Sequence, residues 1–232
     1  FRSVNRDERQ ETLLEHNRLL GGLLGETIFS YAGLHIYQVT EALKNASVEF
    51  YKNQTQESRK NLSKLCSDLS DSEILRVIRS FSHFSLLANI AEDVYQTQEQ
   101  RAIKFSNKLQ LGTLEKSLNN LKAKGINREK MAKAMENVSI VPVLTAHPTQ
   151  VQRKTTLDLT ENIHNLLRKH RDVKNGLINK TKWKEDLQKH IEILLQSDII
   201  REKKLKVANE ITNVLEYYNR SFIKAITKLM TE

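Results

Sequence analysis

The sequence is poor in the residues that interrupt helices and stabilise small folds by cross-linking. It has two prolines and seven glycines in 232 residues, which favours a mainly α-helical chain. Cys66 is the only cysteine, so an internal disulfide and a cysteine-based zinc site are excluded. A lone thiol is typical of a reducing cytosol. Its helix-like flanks predict that Cys66 is buried and inert.

Long hydrophobic runs are also missing. No stretch of about eighteen apolar residues occurs, so no membrane span is expected. The N-terminal residues 1–6 continue directly into charged sequence, and no signal peptide is recognisable. Together these absences predict a cytoplasmic protein without a membrane partner. Because the chain starts without Met, we expect a piece of a longer protein.

Several motifs that carry chemistry are absent as well. The sequence contains no glycine-rich phosphate loop, no serine-centred nucleophile elbow and no His-Glu-x-x-His pair. We therefore expect no metal or cofactor site formed by this chain alone.

The charge balance is basic, with a formal net charge of +9 from 37 basic and 28 acidic residues. A positive excess favours anionic partners, but here both signs are mixed along the chain and form no long block. An ordinary solvated surface explains this pattern, and we expect no nucleic-acid partner. A basic helical scaffold or nucleic-acid-binding module without catalysis is the alternative function. It predicts binding that weakens steeply with salt.

Apolar residues recur at helical spacing along most of the chain and predict seven or eight helices. In the first, over about residues 7–30, Leu20, Leu24 and Ile28 share one face, and Gly33 ends it. Near the C-terminus a single helix is predicted over about residues 205–231. Its apolar stripe alternates spacings of three and four: Ala208, Ile211, Leu215, Tyr218, Phe222, Ala225 and Leu229.

A clear helix start lies at Ser70, where residues 70–73 offer N-cap side chains and acids for a first turn. The stripe that follows predicts a buried seam: Ile74, Val77, Phe81, Phe84, Ala88, Ala91 and Tyr95. His83 lies beside it and is predicted to be a structural histidine. Residues 96–111 are predicted to form a loop, and Asn127 to cap a short helix.

Both prolines lie in one β-prone stretch, residues 139–150. Pro148 fixes its own φ and disfavours α geometry at His147, so the pattern predicts a strand over about residues 140–146, a turn carrying His147, and a helix from about Gln150. With an ordinary pKa of about 6.5, His147 is the best candidate for acid–base chemistry. The following helix N-terminus and Arg153 could bind a phosphate or carboxylate, and a capped turn with surface cations is the simpler alternative.

This strand has no evident partner in the sequence, and one strand is not stable alone. We therefore expect residues 140–146 to belong to a sheet completed by chain outside these 232 residues.

Three stretches, in order, resemble phosphoenolpyruvate carboxylases. Residues 143–150, followed by Arg153, resemble the family's first signature, although Gln150 stands where the family usually has Glu. Residues 23–28 resemble its N-terminal helix, and residues 79–92 the helix that precedes the signature. Four more positions fit a later pattern: Asp198, Ile200, Arg201 and Glu210.

The resemblance implies a fold and a domain organisation. The family fold is a parallel, TIM-like β-barrel embedded in helices, so this chain is expected to be mainly α. Residues 1–138 would form an N-terminal helical region. Residues 139–232 would carry the first barrel strand, the catalytic turn and the following long helices. His147 would then lie at the catalytic, C-terminal end of the barrel.

The resemblance also implies an activity. The family is a group of lyases that join phosphoenolpyruvate to bicarbonate, giving oxaloacetate and phosphate, with Mg²⁺ as cofactor; this fixes carbon dioxide and supplies the tricarboxylic acid cycle. His147 would handle acid–base steps on carboxyphosphate as CO₂ is released. The family's Gly-Gly-Asp-Arg-Asp-Gly-Asn-Pro signature is absent here. The metal ligands and phosphate-binding arginines would also lie in other parts of the parent chain. We therefore expect these residues to be inactive alone and the full enzyme to be a homotetramer.

Overall fold

The computed structural model describes residues 6–105, 113–139, 141, 153–197 and 206–231, and the regular elements in these ranges are helices. The longer helices are α1 (Arg6–Asn53), α2 (Gln56–Ser67), α3 (Asp71–Phe105), α6 (Lys154–Arg168) and α8 (Lys180–Gln196). The shorter ones are α4 (Leu114–Ala123), α5 (Arg128–Met135), α7 (His170–Lys174), α9 (Val207–Tyr217) and α10 (Ile223–Thr231). The prediction of a mainly helical chain is confirmed.

The chain divides into two compact units. The first, here called the packed unit, consists of Asn5–Thr97 and Arg153–Ile200. The second unit consists of Phe1–Val4, Gln98–Gln152 and Arg201–Glu232.

The packed unit has one apolar core to which four long helices and α7 contribute. Each helix presents side chains at spacings of three and four, as expected for one buried face of an α-helix. The buried core residues are Leu20, Leu23, Leu24, Ile28 and Ile36 of α1; Leu87, Ile90, Ala91 and Val94 of α3; Leu159, Ile163 and Leu167 of α6; Val173 of α7; and Trp183, Leu187, Ile191 and Leu194 of α8. The face predicted for the first helix, with Leu20, Leu24 and Ile28, is confirmed.

Helix α1 is kinked at Gly33, whose φ of 85° and ψ of 169° are not helical. This backbone conformation is essentially restricted to glycine, since a Cβ would clash there. Helical geometry resumes directly after the kink. The predicted break at Gly33 is therefore correct.

Helix α3 begins where the sequence predicted but ends later. The Glu73 carboxylate accepts a hydrogen bond from the Ser70 backbone N–H at 2.8 Å, which satisfies a donor at the helix start. The hydrogen bond from the Ser70 hydroxyl, then this backbone bond, then the bond from His35 lower the pKa of Glu73 to about 2. The predicted loop was wrong over residues 96–105, which are helical. No Gly or Pro interrupts them, and weak periodicity alone does not end a helix.

The buried face of α3 differs from the predicted stripe. Val77 and Ala91 are buried as expected, but Phe84 is exposed. The buried positions are instead Val77, Ser80, His83, Leu87, Ile90, Ala91 and Val94. Ser80 and His83 can be buried because their polar atoms bond backbone carbonyl groups. Counting apolar residues alone therefore misplaced the centre of the face.

The helices of the second unit bury very little. In α4 and α5 no side chain is buried, and in α9 only Asn213 is. Asn127 caps α5 as predicted, because its side chain accepts from the Lys130 N–H at 2.9 Å. The predicted C-terminal helix is interrupted between α9 and α10 by a π-helical turn, Tyr218–Phe222. Its apolar stripe is largely open, with Ile211 56%, Leu215 56% and Leu229 64% exposed.

Two further expectations concern single sites. The prediction of a buried thiol at Cys66 was wrong: its side chain is exposed. Ser58, in the first turn, is the only buried residue of α2, and Cys66 in its last turn is left uncovered. The predicted strand falls on residues outside the described ranges except for Val141, which is in no regular element. Among the helices described, none is long and apolar enough to span a membrane.

Candidate active-site segment and its helical support

The candidate catalytic residue, His147, lies outside the described residues, as do residues 142–152 around it. The described chain resumes at Arg153, which occupies the N-cap position of α6 with extended backbone (φ −68°, ψ 143°). The first turn of α6 has no acidic side chain and contains Lys154. A helix N-terminus of this kind carries a partial positive charge and favours an anion. A positive helix start therefore follows the His147 segment, but α6 begins at Lys154, four residues later than the predicted start at about Gln150.

Helix α6 is firmly held in the packed unit. It buries Thr156, Leu159, Ile163 and Leu167. The indole N–H of Trp183 donates to the Leu166 carbonyl oxygen at 2.9 Å. The Thr156 hydroxyl is buried and has no hydrogen-bond partner among the described residues. The element that directly follows the signature segment is thus fixed by contacts with α8.

The end of α8 is fixed by two side chains of α3. The Arg79 guanidinium donates to the Leu195 carbonyl oxygen from Nε at 3.1 Å and from Nη2 at 2.8 Å. The same Nη2 donates to the Ser197 carbonyl oxygen at 3.0 Å. The last carbonyl groups of a helix lack intrahelical partners and carry partial negative charge, so a cation there satisfies both needs.

His83 completes this cap and has the structural role predicted for it. It is 1% exposed, and its Nε2 lies 2.9 Å from the Leu194 carbonyl oxygen and its Nδ1 2.7 Å from that of Arg79. Burial lowers the pKa of His83, and the two carbonyl contacts oppose that shift. Arg79 and His83 both belong to the second stretch that resembles phosphoenolpyruvate carboxylases. Through these contacts, the second family-like stretch holds the C-terminal end of α8 in place.

The later family-like positions are only partly described. Asp198, Ile200 and Arg201 lie outside the described residues. Glu210 is in the first turn of α9, in the second unit, where an acidic side chain favours the helix start.

Sequence reasoning missed one buried polar cluster. His16 Nε2 lies 3.0 Å from His170 Nδ1, although the two residues are 154 positions apart. The His170 ring stacks on Trp183 with centroids 5.0 Å apart and planes 1° apart. No sequence motif predicts this pair, because it depends on how α1, α7 and α8 pack. The only signal in the sequence is a histidine at His16 on the apolar face of α1.

The described residues do not form a metal site. Within the ranges that the structure covers, no three His, Cys, Asp or Glu side chains converge at metal-binding distance.

Comparison with known proteins assigns the chain to a family. The family model described as phosphoenolpyruvate carboxylase matches residues 13–232. This match covers nearly the whole chain and includes all three stretches that showed the resemblance. The chain belongs to the phosphoenolpyruvate carboxylase family.

Proposed function

We propose that this chain is the N-terminal part of an enzyme that carboxylates phosphoenolpyruvate. The observation that carries the proposal is the family match over residues 13–232, which includes the His147 signature. In the proposed reaction, bicarbonate attacks the phosphoryl group and releases the enolate of pyruvate, forming carboxyphosphate. Carboxyphosphate then breaks down to CO₂ and phosphate, and the enolate carbon attacks CO₂ to give oxaloacetate.

Within this reaction we assign His147 the acid–base steps on carboxyphosphate. A histidine suits this role because its pKa lies close to neutral pH, so it can both accept and return a proton. The positive N-terminus of α6, with Arg153 and Lys154, supports the choice of an anionic intermediate. Arg79 and His83 have a structural role in this proposal, since their side chains hold the end of α8.

We further propose that the barrel strand, the metal and the assembly depend on other parts of the parent protein. Residues 140–146 would be the first strand of the barrel, and the Mg²⁺ ligands would lie outside the described residues. The full enzyme would be cytoplasmic and homotetrameric. The chain alone should therefore neither form oxaloacetate nor bind Mg²⁺ tightly. A coupled oxaloacetate assay, with calorimetry for the metal, checks both points, and robust turnover by these 232 residues would show that the site is misplaced.

The reaction itself is tested with isotopically labelled bicarbonate and the complete enzyme. Attack by a bicarbonate oxygen leaves that oxygen in the phosphate product, so ¹⁸O-bicarbonate should yield phosphate carrying one ¹⁸O for each oxaloacetate formed. In the control, unlabelled CO₂ replaces bicarbonate and the solvent is ¹⁸O-water. The reaction is followed only over times too short for CO₂ to hydrate. Oxaloacetate without label in phosphate would contradict the carboxyphosphate route, and absence of oxaloacetate would contradict the proposed function.

A further inference from the structure

The histidine pair in the packed unit joins three helices at one point. His16 comes from α1, His170 is the first residue of α7, and Trp183 of α8 stacks on His170. His16 is 1% exposed. Among residues 10–19 of α1, it is the only buried side chain. The first turns of α1 are therefore attached to α7 and α8 through this imidazole, together with the Glu15–Lys174 ion pair and the partly buried Leu13 and Leu19.

The contact between the two rings depends on their protonation. At 3.0 Å, one ring nitrogen donates and the other accepts. A neutral pair satisfies this requirement, and so does a pair that shares one extra proton. When both rings are protonated, two N–H groups face each other and no acceptor remains. The second proton must therefore break the contact.

The environment of the two rings also disfavours their protonation. The charged groups that face the pair are Glu15 of α1, Lys174 of α7 and Lys180 of α8. Burial, and then the charge on His170, lower the pKa of His16 to about 4, and burial and Lys174 lower the pKa of His170. Glu15 forms an ion pair with Lys174, which lowers the pKa of Glu15. Glu15 thus stays charged in mild acid, and the imidazoles are the groups that titrate.

We propose that His16 and His170 form a proton-sensitive latch. The latch holds the first turns of α1 on α7 and α8 while at least one ring is neutral, and it releases them when both rings carry a proton.

The direction of the pH effect follows from linkage. In the released state both histidines titrate near their ordinary pKa of about 6.5, whereas in the closed state they bind protons only at lower pH. The released state therefore binds more protons between these values, and acid favours it. The closed latch is fully stable above about pH 6.5 and loses stability as the pH falls towards 4, the value for His16.

The test is amide hydrogen exchange of the full chain, with protection measured for residues 10–19 at pH 7 and pH 4.5. Protection there should fall at least about tenfold on acidification, since each unit of pKa depression is a factor of ten in the opening equilibrium. In the double variant His16→Gln/His170→Gln this loss should disappear, because glutamine does not titrate. His190→Gln, a histidine on α8 that bonds the Asp186 carbonyl oxygen, is the matched control and should behave as the parent chain does.

Trp183 supplies a second, local readout, because it is the only tryptophan in the chain. A protonated imidazole stacked on an indole quenches its fluorescence. Trp183 emission should therefore fall over the same pH range as the loss of protection, while far-ultraviolet circular dichroism remains helical. In His170→Gln the quenching should be absent.

Three results would overturn the latch. The first is an equal acid-induced loss of protection in the parent chain and the double variant. The second is unchanged protection of residues 10–19 in the parent chain down to pH 4.5. The third is loss of circular dichroism together with the fluorescence change, which would indicate global acid unfolding. If the double variant does not fold at neutral pH, the same exchange measurement is made on His16→Gln and His170→Gln separately. A full tenfold loss of protection in both single variants would contradict the proposal.

Discussion

The two units of the chain use the same kind of amphipathic helix but differ in how much of it is covered. In the packed unit, α8 buries Trp183, Leu187, Ile191 and Leu194. In the second unit, α9 has a similar apolar stripe, yet Ile211 and Leu215 are each 56% exposed. Helical periodicity therefore indicates which face of a helix is apolar, but not whether that face is buried.

The cover in the packed unit comes from helices that are both near to and far from one another in the sequence. Helix α1 packs on α2 and α8, and α6 packs on α8. Most of the stability of a short helix in water comes from such tertiary packing rather than from intrinsic propensity. We therefore expect the packed unit to behave as a stable core, and α9 and α10 to depend on further contacts for their stability.

The largest expected difference between the units comes from the same substitution made in each. Leu187→Ala removes a fully buried core side chain and should lower the free energy of unfolding by about 2–5 kcal/mol. Leu215→Ala removes an exposed side chain and should change it by no more than about 0.5 kcal/mol. Urea denaturation followed by circular dichroism measures both. Equal effects would contradict the contrast between the two units.

The cap on α8 should produce the next largest effect. Arg79→Met removes the three hydrogen bonds to the last carbonyl groups of α8 and should destabilise the packed unit by about 2–3 kcal/mol. Arg76→Met on the same helix is the control, because that side chain is exposed. Hydrogen exchange should accelerate in residues 190–197 for Arg79→Met alone. Similar exchange in both variants would mean that the guanidinium is not what holds this helix end.

A substitution at the kink in α1 should have a smaller effect on stability, and its control substitution should have an effect of the opposite sign. Gly33→Ala places a Cβ on a backbone with φ of 85° and should cost about 1–3 kcal/mol. Gly22→Ala lies in regular helix with no atom within 4 Å of the new Cβ, and should stabilise by about 0.5–1 kcal/mol. Thermal unfolding of both variants checks the signs. If Gly33→Ala left the thermal stability unchanged, α1 would not need its kink.

The smallest effect concerns association through the exposed stripe of α9 and α10. We expect a second copy of the chain to cover this stripe, because burying a large apolar side chain contributes roughly 1.5–3 kcal/mol. The net charge of +9 opposes association, and salt screens that repulsion. Light scattering should therefore detect more association as salt rises, and less for Leu215→Lys.

The same salt series separates this outcome from nucleic-acid binding, which salt weakens. A monomer at every salt concentration would count against association.

Local signals in the sequence predicted local structure well. The start of α3 at Ser70, the cap at Asn127 and the kink at Gly33 each depend on a few neighbouring residues, and all three are confirmed. Cys66 was mispredicted because burial depends on which other helix covers the site. His16 and His170 were missed for the same reason, since their contact joins residues 154 positions apart.

The candidate site likewise has features that could be predicted from the sequence and features that could not. The family could be predicted because its motifs are contiguous, and it is confirmed by the match over residues 13–232. The role of His83 followed from its place beside an apolar stripe. The role of His147 stays a prediction, because His147 lies outside the described residues.

The most direct test of the account is the turnover of the complete enzyme after His147→Asn. General acid–base catalysis typically contributes about 10²–10⁴-fold, so oxaloacetate formation should slow by that factor while phosphoenolpyruvate binding stays close to that of the unsubstituted enzyme. His190→Asn, in α8 of the packed unit, should leave the rate nearly unchanged. A His147→Asn enzyme that turns over at nearly the unsubstituted rate would contradict the assignment of this chain's catalytic residue.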